Sequence, residues 1–141
     1  MSGFLLDTNC ISEPTRDRPE PRVLSWLDAV DESQLYLSVL TLGEIRKGAS
    51  ALPESRRRSQ LEVWLERQVK VRFSGRILPI SDDIAERWGW LAAEAKLRGR
   101  SLPVIDGLLA ATALHHNLAL VSRNITDFLV TRVPILNPWV E

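Results

Sequence analysis

The chain predicts a three-layer α/β/α sandwich, with helices on both faces of a mostly parallel sheet of about five strands. Three observations lead there. Short apolar runs recur along the sequence, segments with helical apolar spacing separate them, and the runs end in turn or cap residues that open the next helix. Strands that alternate with helices need crossover connections, and these make neighbouring strands parallel and right-handed in their linkage.

Phe4-Leu5-Leu6 stops at Asp7-Thr8-Asn9, so it reads as a buried strand closed by cap residues. A second strand is expected over Leu35 to Val39, followed by Thr41-Leu42-Gly43-Glu44, a capping-box pattern that predicts a helix start. Ile77 to Ile80 and Leu118 to Val121 are further strands. Val133 to Leu136 is a fifth, which Pro134 assigns to a sheet edge. Helical spacing appears at Val23, Leu27 and Val30, at Leu61, Leu65, Val69 and Phe73, and at Ile84, Trp88, Leu91 and Ala95. After Ser101 and Pro103, the stretch Leu108 to Leu114 has only Thr112 as a polar residue, which predicts a helix buried nearly all round. Pro14 to Pro21, with three prolines and alternating charges, reads as an exposed connection.

The 141 residues are 45% hydrophobic and 26% charged, which fits a single soluble domain over 1–141 with one core. Because 18 basic residues balance 18 acidic ones, nothing draws the whole molecule toward nucleic acid or membrane. An anionic partner has to be held by a local basic patch or by metal. Cys10 is the single cysteine, so no internal disulfide forms, and no basic, apolar and small-residue leader opens the sequence. The expected compartment is a reducing cytoplasm. Charged residues interrupt every apolar stretch short of the ~20 needed to span a bilayer.

Asp7, Glu44 and Asp106 each stand where an apolar run turns into a helix start. In a parallel sheet, strand ends and helix beginnings share one edge, and ligand sites form there. Three carboxylates gathered in one crevice repel each other unless a cation sits between them, and oxygen donors without a Cys or His cluster favour Mg²⁺ or Mn²⁺ over zinc. Taken singly, Asp7 also fits a helix cap and Glu44 a capping box. Asp106 resists such a reading, because it precedes Gly107 and a nearly continuous apolar stretch. At the turn after Leu118 to Val121, Asn124 offers an amide oxygen and Asp127 a carboxylate, the latter also suited to capping the short Phe128-Leu129 turn. Thr8 and Asn9 are placed to orient Asp7 or a water beside it.

Four blocks now stand in order: Leu5-Leu6-Asp7-Thr8-Asn9-Cys10-Ile11-Ser12-Glu13, Ser38 to Gly48 around Glu44, Asp106-Gly107-Leu108-Leu109-Ala110-Ala111-Thr112-Ala113, and Ser122-Arg123-Asn124. Together they resemble the PIN-domain ribonuclease toxins of VapC type. The FitB-like branch is the nearest in look, because Gly75-Arg76-Ile77-Leu78-Pro79 and Asn137-Pro138-Trp139 also fall in place. The resemblance covers essentially the whole chain. It implies a Mg²⁺- or Mn²⁺-dependent endoribonuclease with Asp7, Glu44 and Asp106 as acidic ligands and with 5′-phosphate and 3′-hydroxyl products. Asn124 falls where many relatives carry a fourth acid, which removes one formal charge. The resemblance further implies a homodimer and a VapB- or FitA-like antitoxin, whose C-terminal segment covers the site and whose DNA-binding part brings the hetero-oligomer to operator DNA.

In that chemistry, Asp7 and Asp106 hold the metal, Glu44 ligates or orients water for in-line attack, and Arg46, Lys47 and Arg123 are candidate phosphate contacts. The Arg56-Arg57-Arg58 run joins them as a candidate, although a solvated face is its ordinary role. A phosphoaspartate phosphatase would need a second Asp two residues after Asp7, where Asn9 stands. The competing class is a binding module that has lost catalysis and acts through its partner. His115 and His116 close the buried helix, away from the acidic edge, and Cys10 has no His near it in sequence, so a nucleophilic triad is disfavoured. Trp26, Trp64 and Trp88 sit at core spacing. Trp88 and Trp90 differ by about 200° around a helix, so one of them faces outward as an interface candidate.

Overall fold

The computed structural model describes residues 3–140. Its elements run β1 (Phe4–Leu6), α1 (Thr8–Ser12), α2 (Pro21–Ala29), β2 (Leu35–Ser38), α3 (Val39–Ser50), α4 (Arg56–Trp64), α5 (Lys70–Arg72), β3 (Ile77–Leu78), α6 (Asp82–Leu97), α7 (Val104–His115), β4 (Ala119–Val121), α8 (Ile125–Phe128) and β5 (Ile135–Leu136). A π-helical stretch, Leu65–Val69, joins α4 to α5. The strands form one sheet in the order β3-β2-β1-β4-β5, and every pairing is parallel. The expected α/β/α sandwich is therefore present.

Alternation along the strands divides the core between the two faces. Leu6, Leu35, Leu37 and Val121 point to one side, where they meet Cys10, Ile11, Val23, Leu65, Val69 and Phe73 from the helices of the first half. Leu5 and Leu120 point to the other, against Leu109, Ala110, Ala113 and Phe128. Trp26 and Trp64 pack against the first cluster, and α6 lies along α7 on the second face. The helix from Val104 is as enclosed as its sequence predicts: Gly107 and the run Leu109 to Ala113 are all buried. Gly3 has φ +138°, and a Cβ there would lie 2.5 Å from the Gln34 carbonyl oxygen, so only glycine lets the chain enter β1 beside β2. Arg76 fixes the far end of the sheet by donating to the Glu32 and Leu35 carbonyls, both at 2.6 Å, just before β3.

Several boundaries differ from the sequence expectation, each for a local reason. Val39 opens α3 instead of ending β2, because the Ser38 hydroxyl accepts the Leu40 N–H at 3.0 Å and caps the helix there. Thr41 is consequently a buried third helical residue, and Glu44 lies a turn further in. The expected Thr41–Glu44 capping box does not form. β3 contains only Ile77 and Leu78, since Pro79 has no N–H to continue the ladder. β5 is an edge strand as expected, and Pro134 serves it through its carbonyl, which accepts the Leu120 N–H at 2.8 Å. No helix among the described residues is long and apolar enough to cross a membrane.

Candidate active site at the carboxyl edge of the sheet

The strand order reverses direction between β1 and β4, and Asp7 and Ser122 are the residues that follow those two strands. In open parallel sheets such a switch point leaves a crevice at the carboxyl ends of the strands. The Asp7 N–H donates to the Val121 carbonyl at 2.9 Å, which carries the β1–β4 ladder up to the crevice itself.

Asp7 is 7% exposed. Its Oδ1 accepts the Thr8 N–H at 2.7 Å and its Oδ2 accepts the Ser122 hydroxyl at 2.7 Å, so it caps α1 and is clamped from β4 at the same time. Burial pushes its carboxyl above the ordinary value; the Ser122 and Thr8 bonds pull it back, and the charges of Glu44 and Asp127 add to the rise. The Ser122 hydroxyl also accepts the Asn124 N–H at 3.1 Å, which shapes the turn into α8.

Glu44 reaches the same place from α3. Its Oε1 accepts the Thr8 hydroxyl at 2.5 Å, and Thr8 also lies 3.5 Å from the Thr41 hydroxyl. Asp106, half-buried, is the third residue of α7. Burial pushes its carboxyl up to about 6, with Asp7, Asp127 and Glu44 adding to the rise. Asp7 and Asp106 therefore both feel the charges of Glu44 and Asp127, although the four acids arrive from different connections.

The donor set suits a hard divalent cation: carboxylates crowded with no cationic side chain among the groups that shift Asp7 or Asp106. The Asn9 Oδ1, two residues after Asp7 on α1, is buried without a hydrogen-bond partner. Among the described residues no three such side chains are already drawn together tightly enough to hold one ion.

The remaining sequence candidates divide. Asp127, exposed on α8, is near enough to raise both Asp7 and Asp106, whereas the Asn124 side chain is exposed and makes no cap bond. Lys47 lines a cleft of ≈ 510 Å³ beside Glu44, with Val39, Leu40, Gly43 and Ile105. Arg46 is paired with Glu66, and the Arg123 guanidinium lies 5.8 Å from the Trp139 ring centre. Cys10 is fully buried, and burial pushes its thiol up to about 12, which removes it as a nucleophile. His115 and His116 stack edge to face at the far end of α7. Sequence reasoning missed Ser122 as a site residue. Its signal was present, a hydroxyl directly after a buried strand, but only the β1–β4 pairing brings it to Asp7.

A parallel five-stranded sheet with acidic side chains gathered at its switch point defines a class of α/β proteins with an acidic crevice at the carboxyl edge of the sheet. Comparison narrows this: a family model for the PIN domain matches residues 4–131, and the chain belongs to that family. It is 38% identical over 136 residues to Toxin FitB of Neisseria gonorrhoeae, covering 96% of this chain and 98% of the relative. It is also 38% identical over 136 residues to VapC ribonuclease Y4jK of Sinorhizobium fredii, covering 96% and 97%. Its backbone matches a solved structure of FitAB bound to an IR36 DNA fragment with a TM-score of 0.91 and 36% identity, over 96% of this chain and 95% of that one.

Proposed function

We propose that this chain is a Mg²⁺- or Mn²⁺-dependent endoribonuclease, the toxin half of a VapBC-like toxin–antitoxin pair, acting as a single domain in the cytoplasm. The observation that carries the reading is the gathering of Asp7, Glu44, Asp106 and Asp127 about one sheet edge, where burial first, and then the charges of Asp7, Asp127 and Glu44, push Asp106 up to about 6. Crowded acids of this kind cost stability and are kept where a bound cation or a reaction needs them.

Asp7, Asp106 and Glu44 would hold the ion, which when bound supplies Lewis acidity and neutralises charge on a phosphodiester. Ser122 and Thr8 fix both Asp7 oxygens, each of which keeps a lone pair for a further partner. Thr8 sets the direction of Glu44, the residue positioned to orient the attacking water. Asp127 supplies the negative charge that Asn124 lacks at the fourth position, and Asn124 retains an amide oxygen for the water. Asn9 offers its unpartnered Oδ1 to the same network. Lys47 and Arg123, which make no ion pair among the described residues, would meet substrate phosphates, while Arg46 is engaged by Glu66.

An antitoxin segment covering the site is supported by the cleft beside Glu44, whose walls of Val39, Leu40, Gly43 and Ile105 suit apolar side chains. The FitAB–DNA complex supports assembly with a FitA-like partner on operator DNA. A homodimer is read onto α6, where Trp90 and Leu97 are 78% and 87% exposed.

Purified, antitoxin-free protein should cleave single-stranded RNA with Mg²⁺, and Asp7→Asn and Asp106→Asn should abolish cleavage while circular dichroism stays native. Cleavage that survives both substitutions would overturn the role given to these acids, and no cleavage by the native chain would leave the competing reading of a binding module.

A further inference from the structure

The Arg56 to Arg58 run opens α4 with no acidic residue in its first turn. Like charges at that end of a helix oppose the macrodipole, so the run lowers helix stability. Arg58 is used internally: it donates to the Leu52 carbonyl at 3.3 Å and pairs with Glu62 at 3.7 Å. Arg56 and Arg57 are exposed and make no ion pair among the described residues. A second basic segment, Arg16 to Arg18, follows α1 and its short 3₁₀ extension Glu13–Thr15. Arg16 is anchored to the buried Glu13 at 3.1 Å but keeps 56% of its side chain exposed, and Arg18 has no ion pair among the described residues.

These two segments are far apart in sequence, yet Arg16, Arg18 and Arg57 line one cleft of ≈ 640 Å³, with Asp17 as its only acid. With Arg16 compensated by Glu13, Arg18 and Arg57 against Asp17 still leave a net positive hollow. Its walls lie close to the acidic crevice. Eight residues of α1 and the 3₁₀ turn separate Asp7 from Arg16, about 13 Å of helical rise, and the six residues of α3 between Glu44 and Ala51 span about 9 Å. The Arg58 bond to Leu52 then ties the start of α4 to the end of α3.

We infer that the Arg16–Arg18–Arg57 cleft is a second binding site for the sugar-phosphate backbone of single-stranded RNA, a few nucleotides from the scissile bond. This rests on the ribonuclease reading of the acidic site. Guanidinium groups suit phosphate oxygens through paired N–H donors, and nothing in the cleft offers stacking or a base-reading surface, so it grips backbone without selecting sequence.

Arg18→Ala/Arg57→Ala protein should be compared with the native chain on RNA oligonucleotides of four and twelve residues, with Mg²⁺. KM for the twelve-mer should rise about tenfold with kcat within about twofold, while the four-mer is unaffected, because phosphate contacts contribute binding outside the reacting centre. Anisotropy with the same RNAs in EDTA should show the salt slope for the twelve-mer falling by about 1.4, at about 0.7 per lost phosphate contact. Arg18→Lys/Arg57→Lys should keep most of the native slope. Equal KM and equal slope in native and alanine proteins would overturn the inference while the nuclease stands. A native chain that binds RNA but cleaves neither length would overturn the ribonuclease reading instead, and the slope still decides the cleft.

Discussion

Trp88 of α6 lies so close over Gly107 of α7 that a Cβ at residue 107 would sit 2.8 Å from its Cδ1 and 3.0 Å from its Nε1. Gly107 therefore lets the indole press onto the α7 backbone one residue from Asp106. Gly107→Ala would gain about 1 kcal/mol of helix propensity, but overpacking of about 1–3 kcal/mol should outweigh it. Urea unfolding should therefore show a net loss. Adding Trp88→Leu to Gly107→Ala should recover part of that loss in a double-mutant cycle, whereas additive losses would mean that the two residues are not coupled.

The Ser122 hydroxyl donates to Asp7 and accepts from the Asn124 N–H, so Ser122→Ala leaves one buried carboxylate oxygen and one amide without a partner. A stability loss of about 1–3 kcal/mol is expected in denaturant titration. The variant should also carry a signature that a merely structural residue would not. Because Ser122 holds the Asp7 carboxyl down against burial, its removal raises that carboxyl further, and the acid limb of the kcat/KM profile should move to higher pH.

Residues that act through their own strand or helix were legible in the sequence. Asp7 follows β1, Asp106 enters α7 in its first turn, and all five strands appear at the apolar runs because a parallel sheet buried on both faces demands continuous apolar stretches. What the sequence could not carry was pairing between distant segments. Ser38 took the cap from Thr41 because two hydroxyls three residues apart compete for one helix start, and only the β2 register decides between them. Ser122 reached Asp7 across 115 positions, and Arg57 reached Arg16, through strand order and helix packing that no local pattern encodes. The family resemblance placed Asn124 at the fourth acidic position; Asp127, three residues later on α8, is one of the charges that reach Asp106, after that of Asp7.

The Thr8 hydroxyl donates to Glu44 at 2.5 Å while its backbone N–H donates to Asp7 at 2.7 Å, so one residue orients two acids. Thr8→Val keeps the shape and the backbone bond but frees Glu44. Outer-shell changes of this kind cost about 10- to 100-fold in metal affinity or activity, and Mg²⁺ titration of cleavage should show a rise in the half-saturating concentration of that order. Thr8→Ser should restore most of it. A Thr8→Val protein with native Mg²⁺ dependence would mean that Glu44 is held by something other than Thr8.

Ionised Asp106 destabilises the fold, and the sign of its effect can be followed with pH. Its carboxyl stands at about 6 in the fold against 3.8 when free, so protonation favours the native state. The contribution is fully present below pH ~4 and is lost as pH rises through ~6, where the ionised group must face Asp7, Asp127 and Glu44. The shift corresponds to ~3 kcal/mol undiscounted, and screening of a half-buried group reduces this to ~1–2 kcal/mol. In EDTA, Asp106→Asn should therefore be more stable than the native chain at pH 7.5 and gain little at pH 4.5. Mg²⁺ should reverse the order at pH 7.5, because an ion bound only by the folded native protein adds stability by mass action that the amide variant largely forgoes. Thermal unfolding at both pH values, with and without Mg²⁺, distinguishes this from a purely structural Asp106, whose loss would destabilise the protein in all four conditions.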